Sequence, residues 1–457
     1  MKTPLEALND TSLTEEQEAV VTATEDFIRV KALAGTGKTF TAVQRVIYQK
    51  AIGREVSHVL TFTRSAAKTI SKKLKEAGVE DVPVKTLHKF AAEMVNDCRE
   101  ERGLGRIPIS DGTQVIYSMY LDEYGRNPKP GDVGQVQQMA TLLANGAAYS
   151  FMTSTSKEEL KYLATRYQEA KEKAGEIDWD DLLLMATGIA KRLGITLDGE
   201  VIVDEAQDLT LLQMDFLKQL NPPRLTLILD PNQTIFGFAG VEEAAISDKR
   251  FTEYTLTKSF RSAQEILDLA NKLIPENLTS DITGGKVTWV ESNHKKQVED
   301  VIEILEPGDC ILGRVRSSAR AVLLALDPTQ DPKHEINDTI RVGDHEYTFG
   351  SIHWAKGQEW DRVFILDLVD DGFAGLPETI EEKRILYVAI TRAKKEVVLM
   401  HITDDWQKPH VHTHGATEES KQSTASTGYG ASRKTLANAT DAPTFTGGIR
   451  NSSSGAA

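Results

Sequence analysis

Four runs of this chain are apolar on both faces: EVIVDEAQ at 200–207, RLTLILD at 224–230, RVFILDLV at 362–369 and EVVLM at 396–400. A strand without a polar side must be covered from above and below, which is the condition of a parallel sheet lying between helices. An amphipathic helix follows the first of these runs, and SHVLTFTRSAAKTISKKL makes the same passage from strand to helix near Thr63 or Ser65. The fold class expected is therefore α/β with parallel sheets. Ligands of such sheets sit at the carboxyl ends of the strands, where the polar residues of these runs gather.

Two stretches break the pattern. Residues 91–176 are helical throughout and split the first sheet domain, so they are expected to form an inserted helical subdomain between 1–90 and 177–247. A second sheet domain then spans 248–405. From Gly415 onward the chain turns to Ser, Thr, Gly and Ala with few large apolar residues, too little to offset the entropy of ordering, and 406–457 is expected to be a disordered tail. The alternating His410, His412 and His414 open that tail without an acid or cysteine beside them, which makes a polar segment the simpler reading than a metal site.

At 457 residues the chain has room for two or three domains, and its net charge of −15 requires any nucleic-acid contact to be a local groove. No run has the length and apolarity of a membrane span, and the polar, acidic start is unlike a signal peptide, so a cytoplasmic protein is expected. The two cysteines, Cys98 and Cys310, lack metal-ligand spacing and read as small buried hydrophobes.

The chemistry begins at KALAGTGKTF, from Lys31. Ala34, Gly35, Thr36, Gly37, Lys38 and Thr39 follow a β-like run and precede a helix. In that context backbone N–H groups at a helix start, the Lys38 ammonium and a Mg²⁺ held by Thr39 can together grip phosphates. A plain glycine turn would explain the loop by itself, and helix-capping acids would explain Asp204 and Glu205 by themselves. Their co-occurrence is what a nucleotide hydrolase needs: Asp204 to hold Mg²⁺ and Glu205 to orient and deprotonate a water. Alanine stands at 32, where the usual phosphate-loop pattern has glycine.

These elements and seven more fall in the order of the superfamily 1 helicases, and the chain resembles the UvrD, Rep and PcrA family from Gln17 to Lys394. That family tolerates alanine at the loop's first position. LTEEQ resembles its adenine-reading motif, with Gln17; TFTRSAA and KTLHKF resemble its DNA-contact motifs, with Phe62, Thr63, Arg64 and His88; LDPNQTIFGFAG resembles the segment that carries the phosphate-sensing Gln233 and the base platform Phe238. LTKSFRS is similar to the motif of an arginine finger, Arg261, and an adenine-stacking ring, Phe260. SIHWAKGQEW is similar to the motif with Ser351, His353 and the ribose-side acid Glu359, and EEKRILYVAITRAK to the last motif, with a second finger, Arg392.

The resemblance implies two RecA-like ATPase domains using ATP and Mg²⁺, with the nucleotide between them, on a track of single-stranded DNA leading to a duplex junction. It implies movement 3′ to 5′. Trp354 is a further aromatic candidate for the track. Departures from the family's patterns at Phe236, Ala239, Ser259, Ser351 and Gln358 leave hydrolysis in place and bear on DNA grip, Ala239 most of all. The interval between 262 and 351 is too short for the large second-domain insertion of UvrD, Rep and PcrA, so a compact, monomeric enzyme is expected, with the tail as a tether for a protein partner. Two rivals differ in class. A nucleotide-gated single-stranded DNA clamp would not need Glu205, Arg261 and Arg392, and a P-loop kinase would need an acceptor pocket and only one nucleotide domain.

Overall fold

Strands and helices alternate from residue 15 to residue 100, and a run of helices then interrupts the sheet. The computed structural model describes residues 12–129, 132–145, 156–235, 249–331, 336–369, 372–373, 376 and 379–403, which divide into two compact units at Phe260 and Arg261.

In the first unit a short helix, α1 (Glu15–Thr22), leads into β1 (Phe27–Ala32), α2 (Lys38–Ala51), β2 (Val56–Thr61), α3 (Arg64–Glu76), β3 (Val84–Thr86) and α4 (Leu87–Glu100). Four helices follow, α5 (Thr113–Tyr124), α6 (Asp132–Asn145), α7 (Lys157–Ala174) and α8 (Trp179–Leu193). The chain then returns to the sheet through β4 (Glu200–Val203), α9 (Leu211–Gln219), β5 (Arg224–Leu229) and β6 (Thr252–Leu256). The six strands are all parallel, in the order β3-β2-β4-β5-β1-β6.

Burial explains the apolar runs. Val201 and Val203 join a core with Phe90, Val95, Leu182 and Phe216, whereas Ile202 between them joins Val30, Val46, Val59 and Ile70 on the other face. Covering both faces stabilises by roughly 1.5–3 kcal/mol per large aliphatic side chain, which is why Val201, Ile202 and Val203 are all apolar. Arg45 fixes α2 to the amino end of the sheet. It is fully buried, donates to Glu200 at 2.6 Å and to the carbonyls of Val20 and Ala23 at 2.7 and 3.1 Å, and so ties α2 to β4 and to the end of α1.

Two domain boundaries differ from the expectation. Strand β6 lies beyond 247 but pairs with β1, so the first unit runs on to Phe260. Helix α4 lies mostly beyond 91, yet Phe90, Ala91 and Val95 share a core with α8 and the sheet. The helical insertion with a core of its own is α5 to α7, through Ile116, Tyr120, Val136, Met139, Leu160 and Tyr167. It is fastened to α8 by Lys171, whose ammonium is buried between Asp178 at 2.6 Å and Asp181 at 2.5 Å, and by the Tyr167 hydroxyl, which donates to Asp178 at 2.9 Å.

The second unit contains α10 (Gln264–Leu273), β7 (Lys286–Ser292), α11 (Gln297–Ile304), β8 (Cys310–Gly313), α12 (Arg316–Leu326), β9 (Asp338–Val342), β10 (His345–Ser351), β11 (Trp360–Val369), β12 (Gly372–Phe373), α13 (Ile380–Ile390) and β13 (Ala393–Ile402). Its sheet runs β7-β13-β11-β8-β10-β9, with β12 beside β11; the β9–β10 and β11–β12 pairs are antiparallel and the others parallel. All four strands described between Ser262 and Ser351 belong to this sheet. Both cysteines are buried and free, and no described helix is long and apolar enough to cross a membrane. The tail, with its three histidines, lies outside the described residues, as do Phe236, Phe238 and Ala239.

Candidate nucleotide site and nucleic-acid interface

At the carboxyl end of β1 the chain turns through Leu33 to Gly37 and enters α2. The Thr36 hydroxyl donates to the Leu33 carbonyl at 2.8 Å and closes the turn. Gly37 caps α2 at φ 83°, a left-handed conformation in which a side chain is strained, and a Cβ there would stand 3.2 Å from the Gln17 amide nitrogen. No side chain caps this helix, so its first N–H groups remain for an anion. The conformation also accounts for Ala32. That residue is still in β1, paired with Leu256, and needs no glycine freedom.

Lys38 and Thr39 turn toward acids at the ends of neighbouring strands. The Thr39 hydroxyl donates to Asp204 Oδ2 at 2.6 Å, and Lys38 Nζ lies 3.9 Å from Asp230 Oδ2 and 3.4 Å from the Ala32 carbonyl. Burial, and then the neighbouring Glu205 charge, push Asp204 up to about 6; burial likewise raises Asp230, against the pull of Lys38. Acids lifted in this way hold their charge best beside a cation. A hydroxyl and a carboxylate form an all-oxygen donor pair that suits Mg²⁺ together with phosphate oxygens. Among the described residues no cluster of three or more His, Cys, Asp or Glu offers a protein-only metal site.

From Glu205 a chain of hydrogen bonds runs inward. The Gln207 amide donates to Glu205 Oε2 at 2.6 Å, the Asp230 N–H donates to Gln207 Oε1 at 3.1 Å, and the Gln233 amide donates to Asp230 Oδ2 at 2.6 Å. Gln207, Asp230 and Gln233 are all buried. Glu205 itself stands at φ 57°, an uncommon conformation for a residue with a side chain, and its N–H turns back onto Asp204 Oδ1 at 3.0 Å. The structure thus gathers Lys38, Thr39, Asp204, Glu205 and Gln233 in one place.

Gln17 is buried behind the loop. Its amide oxygen accepts from the Thr14 N–H in a capping box and its amide nitrogen donates to the Thr36 carbonyl, each at 3.2 Å, so it braces the phosphate turn. The Phe260 N–H donates to the Gly35 carbonyl at 2.9 Å, which holds this residue, 53 % exposed, to the same loop.

In the second unit Arg261 Nε donates to Glu359 Oε2 at 2.5 Å, and Lys394 Nζ lies 3.0 Å from Glu359 Oε1. Burial works to raise the Glu359 carboxyl, but Lys394 and Arg261 together hold it below its ordinary value. Arg392 is turned inward: its guanidinium donates to the carbonyls of Val388 and Gln358 at 3.0 and 3.1 Å and to the Thr391 hydroxyl at 3.3 Å. Ser351 is buried, its N–H donating to Asn337 Oδ1 at 2.9 Å, and His353 is half-buried two residues on. Trp354 covers Gly350 and leans on Trp360, with ring centroids 6.0 Å apart, so it serves packing.

The other strand ends of the first unit carry the nucleic-acid candidates. Phe62 is 45 % exposed, Thr63 caps α3 by accepting from the Ala66 N–H, and Arg64 is exposed. His88, at the start of α4, stands edge-on to the partly exposed ring of Trp179 with centroids 5.3 Å apart, and burial lowers its pKa. A neutral imidazole beside an aromatic ring suits a base more than a phosphate.

Residues 13–252 match the UvrD/REP helicase N-terminal domain, and residues 335–404 match the UvrD-like helicase C-terminal domain. The chain belongs to the UvrD/REP helicase family. It is 25 % identical over 452 residues to a probable DNA helicase of Mycoplasma pneumoniae, covering 86 % of this chain and 83 % of the relative. To DNA helicase IV of Escherichia coli it is 23 % identical, covering 83 % and 67 %. To the ATP-dependent DNA helicase PcrA of Staphylococcus aureus it is 24 % identical, covering 63 % of this chain and 44 % of PcrA, so the helicase described here spans less than half the length of that relative.

Three residues of this helicase escaped the sequence reading of its site. Gln207 and Asp230 lie inside DEAQD and LDPNQ, and the signal available was their place at a strand exit, where a buried polar residue needs a partner. Trp179, in EIDWDDLL, reads as a helix start, and only the three-dimensional approach of α8 to α4 puts its ring beside His88.

Proposed function

We propose that this helicase is an ATP-driven motor that moves 3′ to 5′ on single-stranded DNA and separates the duplex ahead. The observation that supports the hydrolytic half of this reading is the hydrogen-bonded chain Glu205–Gln207–Asp230–Gln233, with Lys38 facing Asp230. It joins a base to a residue that can feel the terminal phosphate, within one buried network. In this reading Lys38 and the first N–H groups of α2 bind the phosphates, Thr39 and Asp204 hold Mg²⁺, and Glu205 takes a proton from the attacking water. Bound Mg²⁺ would neutralise charge on the phosphoryl oxygens. Gln17 braces the loop from behind, Phe260 stacks the adenine, and Glu359 serves the ribose.

Arg261 and Arg392 carry the positive charge that a phosphoryl group in transfer calls for, where charge spreads over the equatorial oxygens. Arg392 would have to exchange its carbonyl partners for phosphate. Phe62, His88, Trp179 and Phe238 form the base-stacking track, with Thr63, Arg64, Ser351 and His353 on the backbone side. The enzyme acts as a monomer, and its tail tethers a protein partner.

Strand displacement on substrates with either a 3′ or a 5′ single-stranded overhang, with a Glu205→Gln control, tests this reading. The motor displaces strands only from 3′ overhangs, and the control keeps ATP-dependent DNA binding while hydrolysis falls by about 10²-fold or more. DNA binding gated by ATP with no displacement from either overhang would make the protein a clamp.

A further inference from the structure

Thr61 closes β2 with a buried hydroxyl. The residue is 3 % exposed, and among the described residues no protein group hydrogen-bonds its Oγ1. Buried hydroxyls are nearly always satisfied, by protein or by ordered water. Thr61 lines a small pocket whose walls include Phe62, His88, Asp204, Glu205 and Gln213, so a water there would have polar residues on several sides.

The sheet explains this meeting. Strand β2 lies between β3 and β4. On one side Thr61 pairs with Thr86, two residues before His88. On the other, the carbonyl of Leu60 accepts the Asp204 N–H at 2.9 Å. Thr61 therefore stands between the strand end that carries the nucleic-acid candidates and the one that carries the acids. From Phe62 the chain runs back through Thr61 to the Leu60 carbonyl that holds the Asp204 N–H, and the residue after Asp204 is Glu205, already in the left-handed conformation. His88 is kept neutral by burial, which leaves its ring able to donate and to accept.

We propose that Thr61 is a positioning residue that couples DNA occupancy to hydrolysis, its Oγ1 anchoring a water that joins the His88 side of the pocket to Glu205. This role rests on the reading of the chain as a DNA-stimulated ATPase. It predicts an effect on turnover and none on the grip of the strand, because Thr61 is covered and Phe62 and His88 make the contact.

The test compares the full-length protein with Thr61→Val, which keeps the shape and loses the hydroxyl, Thr61→Ala, and Thr61→Ser, which keeps the hydroxyl. ATP turnover is measured with and without oligo(dT), and oligo(dT) affinity by fluorescence anisotropy. Both hydroxyl-free variants lose the stimulation by DNA by about tenfold or more while affinity stays within about twofold, and Thr61→Ser keeps the stimulation. Stimulation that survives in either hydroxyl-free variant overturns the role, as does a DNA-free rate that falls in the same proportion as the stimulated one. A parent enzyme that DNA does not stimulate would overturn the motor reading itself.

Discussion

Gly37 shows what a single position contributes to the phosphate loop. Its left-handed backbone frees the first N–H groups of α2, and a methyl group there would press on the Gln17 amide nitrogen at 3.2 Å. Gly37→Ala costs about 1 kcal/mol or more in backbone strain, a small part of total stability, yet it displaces the donors that grip the phosphates. Nucleotide affinity should fall by an order of magnitude or more with little change in thermal midpoint, measured by calorimetric titration and thermal melting. His58 gives a second expectation. Burial and then the Lys85 charge lower its ring to about 4 from an ordinary 6.5, so the unfolded chain takes up a proton before the folded one does. Its contribution to stability is complete above pH 6.5 and is lost as pH falls from 6.5 toward 4. In His58→Asn the melting temperature should depend less steeply on pH across that window. At this scale much was legible, because Lys38, Thr39, Asp204 and Glu205 carry their chemistry in residue type and spacing, and Gln233 was picked out by the resemblance of its segment. Gln207 and Asp230 were not, since a link in a buried network is visible only once its partners meet.

Among the elements, α8 joins the helical insertion to the sheet. Asp178 caps the helix, accepts from Tyr167 and shares the buried Lys171 ammonium with Asp181, so Asp178→Ala removes the cap and leaves Lys171 to Asp181 alone. A loss of about 2–4 kcal/mol is expected from the cap and the charged hydrogen bond, read as a lower urea midpoint. The parallel sheets were legible from strands apolar on both faces. The borders were not: helical periodicity is the same whether α4 covers a sheet or joins a bundle, and β6, TEYTL, is half exposed at the sheet's edge, so its sequence lacks the two-sided apolarity of β4 and β5.

Across the whole molecule, a net charge of −15 sets the character of any DNA contact. Few phosphates can be neutralised by a groove that relies on stacking, so the logarithm of single-strand affinity should fall with the logarithm of salt at a slope on the order of −3. Titrations at several salt concentrations would measure it, and a much steeper slope would point to a broad basic surface in place of an aromatic track.

The bracing of the phosphate turn by Gln17 has a consequence for handling the enzyme. One carboxamide both finishes the first turn of α1 and grips Thr36, so fraying of that amino-terminal turn and slackening of the nucleotide cradle are a single event. Bound ADP should therefore shield the peptide bonds around Glu15 from proteases, and a bulky fusion placed directly ahead of Thr14 should weaken ADP retention without touching any residue of the cradle.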